Sequence, residues 1–267
     1  MMNIAGYILA VLIGISLGLI GGGGSILTVP VLVYLLHVDP VLATTYSLFI
    51  VGFTSLVGGT KAYINKLVDF RAISLFGIPS ILSIFVARHF ILPAIPEHIF
   101  TIGSFQVNKG RLLMMVFALL MLAAAVSMMY NHEKEDREAV LNATRNDKNF
   151  SLLLPGLLVG LVTGLLGAGG GFLIIPALVL LIKIPMKTAV GTSLLIIAIN
   201  STFGFVFSIG HFYLDWHLLL SFTALSVTGV FTGSKIAERV NGDALKKWFG
   251  WFVLVMSVYI LCKEFFF

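Results

Sequence analysis

The chain has 267 residues, of which 58% are hydrophobic and only 11% charged, with a mean hydropathy of +1.04. Water-soluble domains carry about 25% charged residues, so this composition excludes a soluble domain and requires lipid to cover the apolar surface. The net charge of +5 comes without a basic cluster interleaved with aromatics, which excludes nucleic acid, and the single cysteine, Cys262, excludes an internal disulfide and a cysteine metal cluster.

The first apolar run, 4–36, is interrupted. Ile4 to Ile20 is followed by Gly21–Gly24 and then by Ile26 to Leu36. The second piece covers only about half of a ~30 Å hydrocarbon core at ~1.5 Å per residue. Glycine costs about 1 kcal/mol per helical position, so four in a row predict a break. Three longer segments follow, near 42–62, 70–92 and 111–130. A polar stretch from His132 to Asn149 carries both signs of charge and reads as a linker. A second interrupted run, 152–182, precedes segments near 188–209, 216–236 and 245–265.

A shift of 146 residues overlays the chain on itself without a gap. Gly14, Gly18 and Gly21 fall on Gly160, Gly164 and Gly167; Pro30 falls on Pro176, Ser47 on Ser193 and Asp69 on Asp215. Leucine matches are cheap in an apolar chain, whereas matched glycines, prolines and aspartates in one register are not. The chain therefore divides into a first transmembrane repeat, 1–130, a linker, 131–150, and a second repeat, 151–267. The opening apolar run has a partner in mid-chain, so it reads as part of the bundle and not as a cleaved leader.

Each broken run is either one bent crossing or a hairpin that returns to its own face. The 17 Lys and Arg decide between these. Single crossings place 9 of them on one face, which is no bias. Hairpins place thirteen on the linker face and leave Arg88, Lys109, Arg111 and Lys263 opposite, as the positive-inside rule requires. The expected fold is an all-α integral membrane protein of two inverted repeats, each a glycine-broken hairpin plus three transmembrane helices, with both termini outside and the linker cytoplasmic. Inverted repeats with broken helices are a recurring plan of secondary transporters.

The short helices after Gly18–Ser25 and Gly164–Gly171 start with amides that lack intrahelical partners. Unwound backbone at membrane depth persists only where protein or a wet cavity surrounds it. Two such tips brought together would form an anion site from Gly22, Gly23, Gly24 and Ser25 and from Ala168, Gly169, Gly170 and Gly171. The competing reading is close packing of small residues, which is the reading taken for Gly14 and Gly160. A nucleotide loop lacks its Lys-Ser/Thr. Ser47, Thr192, Ser193 and Asn200 supply neutral donors suited to an oxyanion that must also leave. Interhelical hydrogen bonding is the alternative for them, and the preferred reading for Thr54 and Ser55. Acidic residues sit only at segment ends or in loops, which disfavours a cation path. Lys61 and His211 read as interfacial side chains, and Asp69 and Asp215 as helix caps.

With Gly18–Pro30, Gly164–Pro176, the stretch Ala189–Leu194 (AVGTSL), Gly210-His211 and Asp215-Trp216, the chain resembles the TauE/SafE family of sulfite exporters, also called TSUP. The resemblance implies movement of sulfite, thiosulfate or a sulfonate across a bacterial inner membrane, with a small anionic substrate and the bilayer as partners and no cofactor. In the first half Tyr46 stands where the second has Thr192, so the half-sites are unequal. An anion channel of the same fold is the alternative reading. A membrane-embedded enzyme is a more distant one, since the spans lack a paired acid and base, a His cluster and a nucleophile with a partner.

Overall fold

The computed structural model describes residues 4–102, 105–130, 150–167, 169–181, 184–211, 213–240 and 242–266. The linker lies outside them. The first half comprises α1 (Ile4–Ile20), α2 (Gly23–Pro30, prolonged by a π-helical turn Val31–Leu35), α3 (Pro40–Ile64) and α4 (Phe70–Val86). A second π turn, Ala87–Ile91, and the short α5 (Leu92–Ala94) prolong α4, and β1 (His98–Ile102), β2 (Phe105–Asn108) and α6 (Lys109–Tyr130) complete the half. The second half comprises α7 (Phe150–Leu166), α8 (Gly171–Leu181), α9 (Met186–Val206), α10 (Trp216–Arg239) and α11 (Gly242–Phe266). Among the described residues five helical stretches are long and apolar enough to cross a membrane: Pro40–Ile64, Phe70–Ala94, Lys109–Val126, Met186–Val206 and Trp216–Ala237.

Side chains set the helix starts. Asp39 accepts from the amides of Val41 (2.9 Å) and Leu42 (3.2 Å), with Pro40 pre-set for the first helical position. Asp69 caps α4 through Arg71 N and Ala72 N, and Asp215 caps α10 through Leu218 N. The capping read from sequence for Asp69 and Asp215 is thus present.

At the centre lie α3 and α9, 72% buried over their apolar windows against 39–44% for the other three spans. Gly52 faces Ser201, Gly59 faces Leu195 and Gly204 faces Leu48. One index rises as the other falls, so α3 and α9 run antiparallel. In contrast α1 runs parallel to α10, with Gly14 against Ser226 and Gly18 against Val230. Its equivalent, α7, runs parallel to α4, with Gly160 against Ser80 and Gly164 against Ile84. Among the described residues these pairs and α6–α11 make the most extensive contacts. Large apolar side chains cover the outer faces, among them Leu82 on α4, Leu119 on α6, Leu220 on α10 and Val255 on α11. Each would cost about 1.5–3 kcal/mol to leave in water.

One element was not anticipated in an all-α reading. The segment 98–108 forms an antiparallel pair, β1–β2, with Phe100 opposite Val107 and Ile102 opposite Phe105. Its β-branched and aromatic residues suit a strand, and Pro96 holds the preceding Ile95 in an extended conformation (ψ 119°), which ends the helix before it.

Candidate functional site

Each interrupted run ends its first helix on a glycine with positive φ. Gly21 (φ +78°) donates its amide to Leu17 O at 2.8 Å, and Gly167 (φ +67°) does the same to Thr163 O at 2.9 Å. This left-handed conformation suits glycine and terminates a helix. The chain then folds back. A Cβ on Gly24 would lie 2.4 Å from Leu17 Cβ and 2.6 Å from Ile13 O, so the start of α2 packs on the end of α1. In the second half Gly169 (φ +64°) and Gly170 (φ +72°) carry the turn, and a Cβ on Gly170 would lie 2.1 Å from Thr163 Oγ1.

The two turns meet. A Cβ on Gly22 would lie 2.5 Å from the carbonyl carbon of Gly171, and one on Gly171 would lie 2.7 Å from Gly22 Cα. Backbone touches backbone at Gly22 and Gly171, with Ser25 Oγ 3.3 Å from a Cβ on Gly171, while Gly24 packs on α1, Gly169 on Ile197 and Val51, and Gly170 on Thr163 and Val159 of α7. Ala168 lies outside the described residues. Gly14 and Gly160 pack instead against the α10 and α4 backbones, as the small-residue reading expected.

The hydroxyls around the tips fall into two groups. Some are engaged: Ser25 Oγ donates to Gly22 O (2.6 Å) and Ser193 Oγ to Val190 O (2.8 Å). Thr192 Oγ1 accepts from the Asp69 amide at 2.9 Å, and Tyr46 OH accepts from the Asp215 amide at 2.8 Å. Those two bonds are repeat equivalents, so the mismatched pair does matching work: each ties the central helix of one half to the cap of the other. Each also spares an amide the ~1–3 kcal/mol cost of burial without a partner. Other groups are buried and unengaged: the hydroxyls of Ser47, Ser55, Thr163 and Ser201, and Asn200 Oδ1. Asn200 Nδ2 donates to Ser80 Oγ at 2.6 Å. A Cβ on Gly169 would lie 3.1 Å from Ser201 Oγ, which places that free hydroxyl at the second tip.

A cavity lies at each end of the α3–α9 pair. One, of about 70 Å³, is lined by Lys61, Ala62, Lys187 and Ser234. The other, of about 140 Å³, is lined by Phe207, Ser208, Val41 and Arg88, the repeat equivalents of those four, together with Lys109. Lys61 thus borders a cavity rather than only an interface. The backbone of His211 lies in a short 3₁₀ turn, Ile209–His211, and its side chain lies outside the described residues.

Arg88 was missed by sequence reasoning, which placed it among the charges of a membrane face. It is 3% exposed. Its Nη1 donates to Thr45 Oγ1 (3.2 Å) and its Nη2 to Thr44 Oγ1 (3.1 Å), while Nε has no partner. The available signal was its place six residues inside the end of the Phe70–Ala94 stretch.

The TauE/SafE sulfite exporter family model matches residues 7–260. A probable membrane transporter protein of Xylella fastidiosa strain 9a5c is 28% identical over 95% of this chain and 92% of its own. The probable membrane transporter protein YunE of Bacillus subtilis is 28% identical over 96% of each chain, and MJ0441 of Methanocaldococcus jannaschii 24% over 95% and 93%. No solved structure matches significantly. Spans, paired glycine turns and a match along nearly the whole length agree: the chain is a multi-pass membrane protein and belongs to the TauE/SafE sulfite exporter family of membrane transporters.

Proposed function

We propose that the protein is a secondary transporter that moves a small sulfur-containing anion, of the sulfite, thiosulfate or sulfonate class, by alternating access between two repeats of opposite orientation. The observation that carries this reading is the meeting of Gly22 and Gly171 between two repeat-equivalent cavities at opposite ends of α3–α9. Equivalent helices that run antiparallel support an inverted arrangement, since only a two-fold axis in the membrane plane relates them. The backbone amides at Gly22–Ser25 and Ala168–Gly171 face the anion, and Ser47, Thr192, Ser193 and Asn200 complete the site. The buried, unengaged Ser47 hydroxyl has a hydrogen bond left to give. In a low-dielectric site such donors are worth more than in water.

In proteoliposomes the protein is expected to take up labelled sulfite, thiosulfate or methanesulfonate and to accelerate that uptake when the lumen is preloaded with the unlabelled anion. Uptake without such counterflow would point to a channel. Absence of movement for all three anions would remove the substrate class.

The repeats span 1–130 and 151–267 in the bacterial inner membrane, with residues 131–150 in the cytoplasm and both termini outside. A Val140→Cys chain lacking the exposed Cys262 is expected to react with an impermeant maleimide only after cells are permeabilised. Labelling of intact cells would reverse the orientation.

A further inference from the structure

We propose that Arg88 is the anion-capturing residue of this transporter: in the cavity at the N-terminal end of α3, its guanidinium takes the oxygens of a small sulfur oxyanion or sulfonate in place of Thr44 and Thr45. The inference rests on the transport reading and names the charged contact that reading lacks.

A buried guanidinium normally faces a carboxylate, because its desolvation costs several kcal/mol. Among the described residues Arg88 has no acidic partner; two neutral hydroxyls hold it, and its Nε is unpaired. Arginine within a span marks a substrate path more often than a structural one. Its planar fork matches an oxyanion with two parallel bonds, and such charge-assisted bonds are about twice as strong as neutral ones. The cavity it lines, about 140 Å³, has room for an anion of this size; a liquid water occupies about 30 Å³. Lys109 lines the same space, 6% exposed, with its Nζ 3.7 Å from the exposed Glu97. That ion pair is weak enough to yield to an anion.

Packing does not demand arginine at this position. Its repeat equivalent is Ser234, beside Val190 and Gly191 where Arg88 has Thr44 and Thr45. The pseudo-symmetric cavities are therefore chemically unlike. Arg88 is also linked to the second tip: Thr44, which accepts from it, packs on Gly167, whose Cβ would lie 2.2 Å from Thr44 O. An anion that frees Thr44 from Arg88 acts on the residue against which the turn rests.

The test is equilibrium binding of radiolabelled sulfite to the purified full-length protein, with thiosulfate, methanesulfonate, sulfate and inorganic phosphate as competitors. Arg88→Gln is expected to weaken binding about 30-fold or more, the loss of a charge-assisted bond. Arg88→Lys keeps the charge without the fork and is expected to lose about tenfold. Thr45→Val removes a competitor for Nη1 and is expected to tighten binding about threefold. A structural arginine would not produce that gain. Should Arg88→Gln fail to fold, the Thr45→Val arm decides. Arg88→Gln binding within threefold of wild type, or unchanged or weaker binding by Thr45→Val, overturns the proposal. Binding of radiolabelled phosphate but of none of the sulfur anions by the wild type, lost in Arg88→Gln, keeps the site and removes the sulfur class from the transport reading. Sulfite binding and flux that survive Arg88→Gln remove Arg88 and leave that reading intact. No binding of any of these anions by the wild type overturns both.

Discussion

Alanine at Gly22 or at Gly171 is expected to cut anion flux about 5- to 150-fold while leaving most of the protein folded. Neither position has positive φ: Gly22 sits at φ −126°, ψ −14°, and Gly171 begins α8. Alanine is therefore permitted by the local backbone, unlike at Gly21, Gly167, Gly169 or Gly170. What stands in its way is the backbone of the opposite tip, since the other near neighbour of Gly171, Ile197 Cδ1 at 2.6 Å, is the movable end of a side chain. The new methyl would lie 2.5 Å from the Gly171 carbonyl carbon in one variant and 2.7 Å from Gly22 Cα in the other. Overpacking of this kind costs about 1–3 kcal/mol. That cost falls only on states in which the tips touch. A differential of 1–3 kcal/mol between states is a factor of about 5–150. The measurement is flux per folded molecule in proteoliposomes, with folding followed by gel filtration and circular dichroism. Wild-type flux in both variants would mean that the tips do not meet in the cycle.

The spans were legible because their signal is long and redundant. Segments read as 42–62 and 216–236 are helices at Pro40–Ile64 and Trp216–Arg239. The α3 start differs by two residues because its cap, Asp39, and Pro40 precede the apolar run, whereas α10 starts where it was read, directly after its cap Asp215. The breaks were legible because glycine in series is a local instruction, and Gly21 and Gly167 carry it out with left-handed φ. Depth was not legible. A charge near the end of an apolar run reads as an interfacial residue snorkelling to water. Arg88 does not: it continues the buried face of α4, four residues after Ile84 and eight after Ser80, and its guanidinium reaches Thr44 and Thr45 on α3. Nor was partnership legible. Tyr46 against Thr192 looks like a broken half-site in the alignment, yet each hydroxyl accepts from the aspartate amide of the other half. Which donors remain unengaged, such as Ser47 and Ser201, depends on cross-half contacts that no local pattern encodes.

Gly14 and Gly160 are expected to behave in the opposite way to the tip glycines. Lipid tails are as apolar as leucine, so no hydrophobic force brings helices together within the bilayer, and close packing must do it. At α1–α10 the backbones touch: a Cβ on Gly14 would lie 1.9 Å from Ser226 O, and on the facing helix one on Gly229 would lie 2.2 Å from Val11 O. At α7–α4 the equivalent contact is Gly160 to Ser80 O, at 2.3 Å. A carbonyl in a helix cannot move aside like the end of a side chain, so the helices must separate along their length. Gly14→Ala and Gly160→Ala are each expected to cost about 1–3 kcal/mol, read as a shift in denaturation by SDS in mixed micelles. Valine is expected to cost more in both. The two alanine variants should agree within about 1 kcal/mol, because repeat equivalence puts the same obstacle in front of each methyl. Flux per folded molecule should stay near wild type, since neither residue touches a tip. An intact melt with lost flux at Gly14 would move that residue from the scaffold into the transport path, and an unequal pair of melts would mean that the parallel interfaces share only their sequence pattern and not their energetics.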